Sequence, residues 1–101
     1  MAVRPPKSLA KVVNPDTGMS LVEAEIQAET ASSLGHHGRK VEAALNRLEV
    51  AGEEERPEAL TLAAREVWAF FIQRELCGMR DHRLVVREMG IPDAVLRRLG
   101  A

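Results

Sequence analysis

From Ser20 onward the apolar positions recur with a helical period. Leu21, Ala24, Ala28, Ala31 and Leu34 fall on one side, while Glu25, Gln27 and Glu29 fill another. Ser20-Leu21-Val22-Glu23 has the form of a capping box: the serine oxygen takes an orphan N–H and the glutamate reaches back to the cap. Met19 stands where a hydrophobic staple would close the first turn. The run Gly35-His36-His37-Gly38 leaves two readings open. Gly35 can stop the helix as its left-handed terminal residue, or the helix can continue, because Val41, Leu45 and Leu48 resume the pattern close to phase. The phase favours one continuous or kinked helix over residues 20–51. In that reading Ala28, Ala31, Gly35 and Gly38 form a small-residue seam open to close approach by a second helix. Two interior glycines cost such a helix about 2 kcal/mol relative to alanine, which packing must offset.

Gly52-Glu53-Glu54-Glu55-Arg56-Pro57 then reads as an acidic surface turn. Pro57 suits the first turn of a helix, and Glu58 lies where the helix dipole favours negative charge. That helix is expected to run from Pro57 to Leu76 or Met79. Its centre is the run Val67-Trp68-Ala69-Phe70-Phe71-Ile72, which leaves no polar side to face water and therefore predicts a surrounded helix. In so short a chain, either the final segment or a second copy must help to cover it. Gly78 should end the helix, Asp81 should cap a short one reaching Met89, and Gly90 should end that in turn. Pro92 opens a last short helix through Leu99.

Residues 1–18 hold Pro5, Pro6, Pro15 and the turn-like Asn14-Pro15-Asp16-Thr17-Gly18, and read as a flexible arm before a single helical domain at 19–101. No segment alternates as a strand would. The expected class is all-α: a small helical bundle with a long N-terminal helix, a buried central helix and two short C-terminal helices.

Composition changes this picture little. At 101 residues, 46% hydrophobic and 29% charged, the chain is of globular rather than disordered type. Aromatic residues make up only 3%, so the core must rest on aliphatic side chains. The charge is more informative. The net value of −1 conceals a middle section, residues 20–79, with six basic against eleven acidic side chains, between two ends of net +2 each. Acidic middle and basic ends can attract each other within or between molecules, and the balance argues against broad nonspecific nucleic-acid binding. Cys77 is the single cysteine, which excludes an intrachain disulfide and fits a reducing compartment. The apolar stretch after Arg4 and Lys7 is cut by Lys11, Asn14 and Pro15, so no secretory signal is read, and no stretch approaches the length of a membrane span. The cytoplasm is the expected location, with no membrane association.

Candidate chemistry is sparse. Gln73-Arg74-Glu75 and Arg80-Asp81 crowd charge around Gly78. Helix-end solvation with a cap at Asp81 explains them without function, and a ligand or partner site is the sharper alternative. Arg74 and Glu75 point about 100° apart on a helix, so they cannot both face inward the same way. His36, His37, Cys77 and His82 are the soft-metal candidates besides methionine. Adjacent histidines point to different sides of a helix and the Cys77–His82 spacing is not a structural zinc spacing, so no metal or other cofactor is expected. His36 and His37 read as exposed residues at a bend, and Cys77 as an inert buried thiol. Ser8, Ser20, Ser32 and Ser33 lack a nucleophile-elbow context, and Glu23, Glu25, Glu29, Glu42 and Glu49 read as the wet face of a helix. No catalytic residue is assigned and no enzyme is expected.

Residues 81–99 have the outline of a helix-turn-helix, with Val85 and Val86, the turn glycine Gly90, then Ile91, Leu96 and Leu99, and with Arg97 and Arg98 available to phosphates. The departures are serious. Val86 stands where a close crossing wants a small residue, Asp93 opens the would-be recognition helix with the wrong charge, and no Asn, Gln, Ser or Thr is present there to read bases. Nucleic acid is the alternative partner rather than the expected one.

Three stretches together carry a family resemblance: Ala31-Ser32-Ser33-Leu34-Gly35 with Gly38-Arg39-Lys40-Val41-Glu42-Ala43-Ala44-Leu45, then Val67 to Asp81, then Gly90-Ile91-Pro92. Over residues 20–100 the chain resembles a family of small bacterial proteins known only as a domain of unknown function. The resemblance implies a compact helical protein of the bacterial cytoplasm and supplies no catalytic or binding residues. The residues themselves predict a non-enzymatic helical interaction module that homodimerises, with Val67, Trp68, Phe70, Phe71, Gln73, Arg74 and Arg80 as the interaction candidates.

Overall fold

The computed structural model describes residues 20–100, apart from the side chain of Thr30. The proposed arm at 1–18 and the staple at Met19 lie outside the described residues. Four α-helices follow in order: α1 Leu21–Val50, α2 Arg56–Leu76, α3 Arg83–Met89 and α4 Asp93–Leu96. No strand occurs among the described residues, and the class is all-α. No helix among them is long and apolar enough to cross a membrane.

α1 is one helix through both glycines. Its start follows from the capping sequence: the Glu23 N–H donates to Ser20 Oγ at 3.2 Å. The described residues divide into two units, the first ending at Ser32 and the second beginning at Ser33. In the first unit Leu21, Val22 and Ile26 are exposed.

The second unit holds the core. Val41, Ala44 and Leu48 of α1 meet Ala59, Leu60, Ala63, Ala64, Val67, Phe70 and Phe71 of α2, closed by Ile91 and by Val95 of α4. Two ion pairs fix the sense of the α1–α2 packing. Lys40 reaches Glu66 at 3.8 Å and Arg47 reaches Glu58 at 4.0 Å, so advancing along α1 means retreating along α2, and the two helices are antiparallel. Both pairs are partly or wholly exposed and add little to stability beyond register. The small-residue seam is realised at one point. Gly38 faces the Phe70 ring, with a built Cβ 3.8 Å from Phe70 Cε1, whereas Ala28 and Ala31 are exposed.

Both glycine stops act as the sequence implies. Gly78 adopts φ +90° and Gly90 φ +65°. At the first, Met79 N–H donates to Arg74 O at 2.9 Å and Gly78 N–H to Glu75 O at 3.0 Å. At the second, Ile91 N–H donates to Val86 O and Gly90 N–H to Arg87 O. These are paired Schellman bonds, which only a residue at ease with positive φ can close. Ile91, just beyond the second stop, is buried in the core.

Three boundaries differ from expectation. α2 begins one residue early, at Arg56, with Pro57 inside its first turn. α3 has His82 rather than Asp81 at its cap position, and Asp81 instead accepts the Arg83 N–H from one residue further out, at 3.0 Å. The last helix is the single turn Asp93–Leu96, not a helix through Leu99, because Arg98 and Leu99 make the tighter three-residue bonds to Val95 and Leu96.

Candidate functional site

The Gly78 stop turns the chain back on α2 and brings His82 against its last turns. The His82 ring stacks on Phe71, with centroids 4.1 Å apart and planes within 5° of parallel. Arg74 Nε–H donates to His82 Nδ1 at 3.0 Å, and His82 Nε2 lies 2.9 Å from Glu75 Oε2. Because Nδ1 must offer a lone pair to Arg74, neutral His82 carries its proton on Nε2 and donates it to Glu75. Arg74 also donates from Nη2 to the Asp81 carbonyl at 3.0 Å, and its guanidinium sits 5.9 Å from the centre of the Phe70 ring. Arg74 is half-buried and Glu75 exposed, so they do not both face inward, as their angle on the helix requires, yet both reach His82. His82 is large enough to be reached at one nitrogen by each. Sequence reasoning missed His82 in this role, and its position four residues past a glycine stop was the available hint.

Beside this network Asp81 and Arg83 form an exposed pair, Arg83 Nη2 to Asp81 Oδ2 at 2.7 Å. The Arg83 side-chain and backbone hydrogen bonds hold the Asp81 carboxyl well below its ordinary value of 3.8, and the same contact raises Arg83.

The predicted interaction residues separate into three groups. Val67, Phe70 and Phe71 are buried in the core. Gln73 and Arg74 are half-buried and Arg80 is exposed, and of these only Arg74 joins the network among the described residues. Trp68 is different. It is 47% exposed, and Ile72 and Leu76, at 41% and 77%, continue from it at four-residue steps along one face of α2. The apolar run is thus covered on the sides facing α1 and the C-terminal segment and bare on the third. At the Thr61 end of that face lies a pocket of about 580 Å³ lined by Thr61, Ala64, Arg65, Trp68, Arg98 and Gly100.

A model of the family of unknown function DUF6665 matches residues 1–101. The chain belongs to this family. Neither the curated proteins nor the solved structures provide a match. DUF6665 membership carries no assigned activity, so the residues must supply any functional reading.

In this DUF6665 chain the metal candidates stand apart in use. His36 and His37 meet edge to face at 5.8 Å within an unbroken helix, and His82 is held by Arg74, Glu75 and Phe71. His37 is half-buried rather than exposed, and its Nδ1 is buried without a hydrogen-bond partner among the described residues. Cys77 is a half-buried free thiol. No three His, Cys, Asp or Glu side chains gather as a metal site among the described residues. In the helix-turn-helix outline the second helix is only four residues, a rise of about 6 Å, and Arg97 and Arg98 follow it.

Proposed function

We propose that this protein is a non-enzymatic helical interaction module that homodimerises through the bare face of α2. The observation that carries the reading is the stripe Trp68, Ile72, Leu76, three large apolar side chains left in water by a chain that buries their neighbours Val67, Phe70 and Phe71. The occupant is a second copy because the stripe is self-complementary. Antiparallel pairing about Ile72 sets that residue against its own copy and Trp68 against the partner's Leu76. A two-fold contact of this kind closes on itself and leaves no free end. The cluster most like acid–base machinery favours a structural role: both His82 nitrogens are used in internal bonds and one ring face is covered by Phe71.

The test is a charge placed in the stripe. Ile72→Glu and Leu76→Glu should convert a dimer to a monomer of unchanged helix content, read by light scattering and circular dichroism. Both side chains are exposed within one chain, so the fold has no reason to fail. Variants that stay dimeric would remove α2 as the interface.

A further inference from the structure

We propose that the pocket at the Thr61 end of α2 binds a small planar anion, an aromatic ring carrying a carboxylate or phosphate. α2 supplies one wall, with Thr61, Ala64, Arg65 and Trp68 projecting from successive turns of one side, and Arg98 and Gly100 supply the other. A volume of about 580 Å³ lies within the range of small-ligand sites. Two features set the chemistry. Arg65 and Arg98 both line the pocket, and among the described residues no acidic side chain lines it and neither arginine has a carboxylate partner, whereas Lys40, Arg47 and Arg83 each have one. Two arginines lining one cavity offer a fork for a carboxylate or phosphate. Trp68 supplies the flat apolar surface on which a ring packs.

Gly100 lets the chain lie close against that indole without a side chain between them. It adopts φ +73°, and a Cβ there would stand 3.3 Å from Trp68 Cη2 and Cζ3. Thr61 adds direction: its hydroxyl already donates to the Pro57 carbonyl at 3.0 Å, so it has only acceptor capacity left for a ligand. A ring bearing an N–H or O–H donor as well as its anion therefore matches the pocket best.

Trp68 is the only tryptophan in the chain, so its fluorescence reports occupancy directly. The full chain is titrated with adenosine monophosphate and with benzoate, the two arms separating phosphate from carboxylate, and with adenosine and inorganic phosphate as ring and anion alone. We expect a saturable change in emission with at least one of the first two, and a markedly weaker response to adenosine and to phosphate. Arg65→Ala and Arg98→Ala should each weaken binding about tenfold, the loss of one charge-assisted contact. Trp68 borders both the dimer stripe and the pocket, so the titration is repeated on Ile72→Glu, where saturable binding that depends on Arg65 and Arg98 supports the pocket whatever becomes of the dimer. Binding thus stands or falls separately from dimerisation. Absence of saturable change with both probes, or a change that persists undiminished in both arginine variants, overturns the proposal.

Discussion

His82 shows how much one residue can hold at an element boundary. Its ring face packs on Phe71 while its two nitrogens answer Arg74 and Glu75. Removing it by His82→Ala should cost about 1–3 kcal/mol in denaturant unfolding, from two partly exposed hydrogen bonds and a stacked contact. His82→Phe keeps the stack and should cost less. Nitrogen chemical shifts at neutral pH should show the proton on Nε2; a proton on Nδ1 would be incompatible with the Arg74 bond. Asp81 gives the pH prediction. Its carboxyl is depressed by Arg83, so the pair's contribution is present above the ordinary carboxylate value and fades as pH falls through the depressed one. Carbon-detected titration should find Asp81 ionising below the other carboxylates, with the gap closing at high salt because both partners are exposed. Neither feature was legible in the sequence. Spacing on a helix separates Arg74 from Glu75, and only the reversal at Gly78 supplies the residue on which they converge.

Elements were far more legible than contacts. The serine cap, the unbroken period across Gly35 and Gly38, and the two glycine stops all follow from local chemistry, which acts within a few residues and leaves its mark there. The missed boundaries are also local but nearly balanced: Asp81 serves as a cap from one position further out, and the last helix loosens after Leu96. Gly38 offers a direct test of element energetics. A methyl group there would meet Phe70 at ordinary van der Waals distance, so Gly38→Ala should stabilise the protein by about 0.5–1 kcal/mol through a cheaper helix. A loss of stability in urea unfolding would contradict this reading of the Gly38–Phe70 contact.

For the whole molecule the governing fact is uneven cover on α2. The sequence says that Val67 to Ile72 is apolar on every side, and it cannot say which side the chain leaves bare, because that depends on where α1 and the C-terminal segment come to rest. They bury Val67, Phe70 and Phe71 and leave Trp68 and Ile72. A charge at Phe70 would therefore unfold the core, since that residue is only 7% exposed, and would say nothing about assembly. The unmodified chain gives the most direct answer. Sedimentation equilibrium at micromolar concentration should return twice the mass of one chain, with dissociation on dilution. A single-chain mass throughout that range would contradict the account.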